Sequence, residues 1–322
     1  MTTTLPASAA SPAPPAGPLS AAHPRLLFAA RVALAANVGI VLTGGLVRIT
    51  GSGLGCPDWP RCDGDSFVPT TGIAESWHAA IEFGNRLLTF AVLATALGVL
   101  WELRRAGRMR PVPRVVTRTA WILPAGVLVQ ALIGGVTVLT GLHWWTVSVH
   151  FMASMVLIGV AVVLVDLVRT DATDPAEVTP VPGGPARAAT AVTGVAFLVL
   201  LLGTFVTAAG PHGGDATAPR LGIDLRLLAI AHADAVWLLL GLTVATLLVA
   251  RHAGESRLAR AIAMLLAISV AQGGVGYLQY ALGIPEGLVS LHLLGATLVW
   301  VAAMRVLVAA RRPLVDRLGA AA

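Results

Sequence analysis

The chain alternates long apolar runs with short polar breaks. Eight apolar segments, near 26–47, 77–101, 119–140, 147–168, 189–209, 227–250, 260–282 and 289–310, each approach the ~20 residues with which an α-helix crosses a bilayer. The second is the weakest. Its uninterrupted apolar run is only Leu87–Trp101, so a span there carries the polar stretch Trp77–Arg86 into the bilayer, where polar groups are expensive and mark function. The pattern predicts an all-α integral membrane protein with eight transmembrane helices.

Composition agrees. Hydrophobic residues make up 56% of the 322 and charged residues 12%, a balance that excludes a soluble enzyme, a disordered chain and a coiled coil. Residues 1–22 hold no charge and no long apolar run, which reads as a disordered cytoplasmic tail. All 22 basic residues are arginine, and seventeen of them fall in loops or helix ends on one side against five (Arg48, Arg61, Arg86, Arg220, Arg226) on the other. The arginine-rich side is therefore expected in the cytoplasm with both termini, in a bacterial plasma membrane. The basic charge follows from this asymmetry, and no nucleic-acid partner is expected. Cys56 and Cys62, in the long loop after the first span, would face an oxidising space where a disulfide persists.

The chain also repeats. Shifted by 142 residues, Gln130 falls on Gln272, Gly134 on Gly276, Gly141 on Gly283 and Ser148-Val149-His150 on Ser290-Leu291-His292. Two parallel four-helix bundles are implied, since an even number of helices per repeat preserves orientation. The expected divisions are an N-terminal half over 23–170, a cytoplasmic linker over 171–188, a C-terminal half over 189–312 and a tail over 313–322.

His78, His150, His232 and His292 fall near the outer ends of the even-numbered spans. His150, His232 and His292 each stand 19 residues before an arginine (Arg169, Arg251, Arg311), about 28 Å along a helix. These three thus share one depth. Histidines on facing helices of a bundle suit axial ligation of haem iron, with His232 and His292 as a pair in the second half and His150 in the first. Counting 19 back from Arg104 on the second span lands on Asn85; His78 lies two turns further out on nearly the same face.

The stretch after the first span reads Gly44-Gly45-Leu46-Val47-Arg48-Ile49-Thr50-Gly51-Ser52-Gly53-Leu54-Gly55-Cys56-Pro57-Asp58-Trp59-Pro60-Arg61-Cys62. It resembles the signature of the haem A synthase family, and the resemblance extends through the eight spans. It implies an oxidoreductase that converts haem O to haem A by successive hydroxylation of the C8 methyl to a formyl. It further implies a haem b cofactor on His232 and His292 in the C-terminal half, with substrate haem in the N-terminal half. Implied partners are a haem O synthase, cytochrome c oxidase assembly factors and an electron acceptor that the residues do not identify; a homo-oligomer is left open.

The family's Glu-x-x-His-Arg motif corresponds to Glu82-Phe83-Gly84-Asn85-Arg86, with asparagine in place of histidine. Two readings follow: His78 replaces the missing ligand, or His150 binds alone with Asn85 opposite. The family's acidic and basic residues on the sixth helix are absent, Ala229 and Ala233 standing there, and the loop at Gly210–Asp215 lacks a second cysteine pair. Glu82 is expected to act in catalysis by accepting a proton, against a purely structural pairing with Arg86. Arg48, Arg61 and Arg86 are candidates for haem propionates, and Cys56–Cys62 is either a redox pair or a static bond. Rival readings are a di-haem b-type membrane electron carrier and a haem-binding transporter or chaperone.

Overall fold

The computed structural model describes residues 23–70, 77–109, 111–170, 178–180 and 183–313. The expected tails, 1–22 and beyond Pro313, lie outside the described residues, as do 171–177 and 181–182 of the expected linker. The helices are α1 (Pro24–Ile49), α2 (Trp77–Gly107), α3 (Arg114–Leu139), α4 (Trp144–Thr170), α5 (Gly184–Ala209), α6 (Leu225–His252), α7 (Ser256–Ala281) and α8 (Glu286–Ala309). All eight are long and apolar enough to cross a membrane. α2 begins at Trp77, so the polar stretch is indeed helical. α5 starts earlier than its apolar run, with Pro185 in its first turn, where the fixed φ favours helix and the missing N–H is not needed. A short antiparallel pairing of β1 (Val178–Pro180) with β2 (Arg311–Pro313) is the one departure from helix among the described elements.

A span in lipid must satisfy its own polar groups. Threonine hydroxyls inside the helices donate to the carbonyl four residues back, as at Thr137, Thr193, Thr243 and Thr297. Large apolar side chains such as Phe28, Phe90, Leu132 and Leu248 point outward, while small residues such as Ala33, Ala96, Ala120 and Ala196 fill helix contacts. That inversion of the soluble pattern is expected when lipid is the solvent.

Neighbouring helices close two rings, α1–α2–α3–α4 and α5–α6–α7–α8. Contacts of α1 and α4 with α8, and of α4 with α5, join them. At the join, Gly45 takes the side chain of Leu293, and Trp300 Nε1 donates to the Met155 carbonyl at 2.6 Å.

Both cores are lopsided. In the first ring the packed core is built from Leu26–Ala33, Val92–Ala106, Val116–Val127 and Leu157–Val168. In the second, α5 contributes Ala189–Leu200, α7 Leu258–Leu265 and α8 Val299–Ala310. These are the halves of the helices nearest the arginine-rich end. The opposite end, which carries the loops after α1 and α5, holds Asn85, His150, His232 and His292 outside both core clusters.

Candidate haem sites and the loop above them

In each ring the candidate ligands stand on diagonally opposed helices, α2 and α4 in the first and α6 and α8 in the second. Each meets a glycine of the helix before it. A Cβ at Gly134 on α3 would stand 3.3 Å from His150 Cε1; at Gly203 on α5, 3.3 Å from His232 Cε1; and at Gly276 on α7, 3.1 Å from His292 Cε1. On α1, a Cβ at Gly44 would stand 3.8 Å from Asn85 Nδ2. Asn85 therefore occupies the slot that His232 occupies in the second ring. Missing side chains on one helix make room for rings on the next, and imidazoles packed this way are held in orientation.

The two rings differ in what holds the α4 and α8 imidazoles. In the second, the Gln272 amide nitrogen lies 2.8 Å from His292 Nδ1 and 2.7 Å from its backbone carbonyl. In the first, Gln130 donates to Ser154 Oγ at 2.5 Å and to the His150 carbonyl at 3.3 Å. His150 Nδ1 and Gln130 Oε1 are both left buried without a hydrogen-bond partner. The position of Ser154 is held in the second ring by Ala296, again four residues after the histidine, so there nothing diverts the glutamine.

His78 is placed elsewhere. Its Nδ1 lies 2.9 Å from Ser52 Oγ and its ring stacks 3.9 Å from Trp77, while Gly55 fits against its backbone. It seats the loop, about 10 Å beyond Asn85 along α2. Asn85 Oδ1 accepts from Thr43 Oγ1 at 2.7 Å.

Glu82 is buried, with 5% of its surface exposed, and its oxygens are engaged. Oε2 accepts from the Cys56 backbone N–H at 2.7 Å, and Oε1 from Arg86 Nη2 at 2.6 Å and Nε at 3.2 Å. Arg86 reaches on to the carbonyls of Cys56 (2.7 Å), Asp58 (2.9 Å) and Arg61 (2.9 Å). The pair is thus a staple between α2 and the loop closed by the Cys56–Cys62 disulfide. Both sulfurs are fully buried. Arg61 turns outward to Asp65, at 2.5 Å. From the loop, the Trp59 indole lies where a Cβ at Gly135 would overlap it, one residue from the glycine that faces His150. The matching residue of the second ring is Tyr277, whose hydroxyl accepts from Trp237 Nε1 at 3.0 Å.

No group of three or more His, Cys, Asp or Glu among the described residues is arranged to hold a bare metal ion. Haem asks less, since its porphyrin supplies four of the iron's ligands and the protein adds only axial ones. Glycine-cradled imidazoles, a buried Nδ1 without a partner on His150, and a bundle end left out of the packed core all fit that group.

The profile of the COX15-CtaA family, described as cytochrome oxidase assembly protein, matches residues 28–216. The chain belongs to this family. The match takes in the disulfide loop, Glu82, Asn85, Arg86 and His150 and ends before α6, so His232 and His292 lie beyond it. Similar curated proteins are the haem A synthases of Lysinibacillus sphaericus, 37% identical over 117 residues (36% of this chain and 36% of the relative), and of a Methylobacterium species, 33% identical over 128 residues (37% and 34%). That of Bacillus licheniformis is 31% identical over 116 residues (35% and 35%). The aligned stretch spans about a third of the length of each of these relatives. Eight apolar helices and this membership make the chain a multi-pass membrane protein of the COX15-CtaA family.

The sequence pointed to Asn85, His150, His232 and His292 through depth and repeat. It gave no site role to Gly44, Gly203, Ser154, Trp59 or Arg220. Ser154 and Ala296 could have been found by extending the repeat four residues past its histidines. Trp59 against Gly135 could not, because it joins a loop to a distant helix.

Proposed function

We propose that this chain is a haem A synthase that oxidises the C8 methyl of haem O to a formyl, working by successive hydroxylation, with a haem b resident in the second ring and the substrate bound in the first. The observation that carries this reading is the inequality of two matched sites. His232 and His292 offer two imidazoles, one of them held by Gln272, as suits a group that stays. The first ring offers a single imidazole, His150, unanchored at Nδ1, opposite an amide that ligates iron poorly. That suits a molecule that must enter and leave.

A haem b on His232 and His292 would supply one-electron redox capacity next to the substrate ring. The remaining work belongs to the chain. His150 would bind the substrate through its iron. Asn85, fixed by Thr43, leaves the opposite side open and presents an amide there. Glu82 and Arg86 hold the disulfide loop down over this end of the ring, and Trp59 brings the loop to Gly135. With both carboxylate oxygens engaged, Glu82 acts as a positioning residue. The buried Cys56–Cys62 bond serves as the loop's closure. The arginine asymmetry supports a loop outside the bacterial plasma membrane, and the reaction, being a net oxidation, would draw on an external electron acceptor. Haem O would come from a haem O synthase and the product would pass to cytochrome c oxidase assembly.

The test is co-expression with a haem O synthase, purification in detergent and reversed-phase separation of the extracted haems. Haem A or its hydroxylated precursor is expected in the wild type, and haem O with haem b alone in Glu82→Ala. Haem b alone in the wild type, with haem O supplied, would overturn the reading in favour of a b-type electron carrier.

A further inference from the structure

Two arginines meet at the join of the rings with no carboxylate to neutralise them. Arg48, in the last turn of α1, reaches across to α5, where its Nη2 donates to the Thr207 carbonyl at 3.3 Å. Its Nε is buried without a partner. Arg220, in the loop between α5 and α6, donates to the carbonyls of Gly210 (2.8 Å) and Pro211 (2.6 Å). Adjacent glycines of that loop bring the two together. A Cβ at Gly213 would overlap the Arg220 guanidinium, and one at Gly214 would stand 3.4 Å from Arg48 Cγ. The Gly214 carbonyl in turn accepts from Gly53 N at 2.8 Å, locking the loop of one ring to the loop of the other. Neither arginine forms an ion pair among the described residues. Both acids of the loop are engaged elsewhere: Asp215 accepts from the Thr217 N–H (2.8 Å) and hydroxyl (2.6 Å), and Asp224 from the Leu227 N–H (3.0 Å).

A half-buried guanidinium whose Nε–H is buried and unused, beside a second, solvent-exposed cation and without a counter-charge, is an anion site awaiting its anion. Its height names the anion. Thr207 stands four residues, about 6 Å along α5, beyond Gly203, and Gly203 is the glycine that cradles His232. We propose that Arg48 and Arg220 form a carboxylate site at the join of the rings, occupied by a propionate of the haem held in the second ring. The first ring would thereby supply a residue that retains the cofactor of the other. This rests on the proposed haem b site, and it accounts for how that site manages with Ala233 and no arginine beside His232. A guanidinium matches a carboxylate in shape and charge and tolerates burial better than an ammonium.

The experiment compares wild type, Arg48→Gln, Arg48→Lys and Arg220→Gln, each also in a His150→Ala background that leaves the second site alone. Retained haem b per protein and its midpoint potential are read after purification. Arg48→Gln is expected to retain several-fold less haem b and to lower the potential, since a lost cation favours the oxidised iron. Arg48→Lys should fall between, and Arg220→Gln should give a smaller change of the same sign. Unchanged haem b and potential in Arg48→Gln would overturn the proposal while leaving the haem b site standing. So would a change seen only in a His232→Ala background, where the first-ring haem remains. Inorganic phosphate stabilising the haem-free protein through Arg48, without any effect of Arg48→Gln on haem, would assign the site to a free anion and overturn the proposal. A wild type with no haem b would remove the proposal together with the reading beneath it.

Discussion

The two rings hold the same slots with different occupants. Where the second ring places His232 against Gly203, the first places Asn85 against Gly44. Where the second anchors His292 through Gln272, the first leaves His150 Nδ1 free because Ser154 captures Gln130. Where the second carries Tyr277, bonded to Trp237 of its own ring, the first carries Gly135 and admits Trp59 from a loop. Each change removes something fixed from the first ring: a ligand, an anchor, an in-place aromatic. On the proposed function, a handful of residues would divide two like rings into a holding site and an exchanging site, with the packed cores at the other end untouched.

The largest expected effect comes from breaking the holding site. His292→Ala should lower haem b in the purified protein at least tenfold, a loss of about 1.4 kcal/mol or more in binding. His150→Ala should leave haem b in place and remove only the substrate-derived haems from the extract. Equal loss of haem b in both variants would show that the rings do not differ in kind.

Next comes the loop. Glu82→Ala leaves Arg86 facing three carbonyls without its carboxylate and strips the Cys56 N–H of its acceptor. Removing one partner of a fully buried pair costs about 3–5 kcal/mol. Arg86 is partly exposed, so roughly 2 kcal/mol is expected here. Thermal unfolding in detergent measures the loss, and labelling of Cys56 and Cys62 after mild reduction measures the loop opening. Glu82→Gln, which can still accept from the Cys56 amide, should recover part of both. A proton-accepting role alone would abolish turnover in Glu82→Gln and leave both of these readouts at wild-type values.

A smaller effect, and a sharper one, is expected from Asn85→His. Gly44 faces position 85 as Gly203 faces His232, with no Cβ in the way. A histidine there should give the first ring a second axial ligand. Low-spin absorption in a His232→Ala background is the expected signature, with several-fold slower turnover in the otherwise unaltered chain. High-spin absorption retained in that background would show that α2 does not present position 85 to the iron.

Much of this contrast was legible in the sequence because it lies along single helices. Apolar runs gave the eight spans to within a few residues, since lipid forces every span to satisfy its own backbone. Histidine depth followed from helical rise alone, and Asn85 was found at the right height without coordinates. Glu82 was weighed between a proton acceptor and a structural partner of Arg86, four residues away on the same helix; the Cys56 amide that also engages it lies on another element and was not visible along the helix. His78 was weighed as a ligand because face and spacing allowed it; its bond to Ser52 crosses from loop to helix, and spacing along one element carries no information about that. Arg220 was counted only as an outer-side arginine for the same reason, its place beside Arg48 arising from two glycines of the loop.

The smallest expected effect tests the finest difference, the anchor. In Ser154→Ala the 2.5 Å bond that holds Gln130 is gone, and α4 then carries the residue that α8 carries at Ala296. Gln130 already lies 3.3 Å from the His150 carbonyl, as Gln272 lies 2.7 Å from that of His292, so the remaining step is a turn of the amide that brings Oε1, without a partner here, to accept from the His150 Nδ1–H. One hydrogen bond of this kind contributes about 1 kcal/mol, or roughly a five-fold change in a rate it controls. Release of the first-ring haem to an excess of a haem-scavenging globin should slow by about that factor in Ser154→Ala. The slowing should vanish in Ser154→Ala with Gln130→Ala, which has no amide to turn. Release as fast as in the wild type, or slowing that survives loss of Gln130, would mean that the free Nδ1 of His150 does not set how readily the first ring gives up its haem.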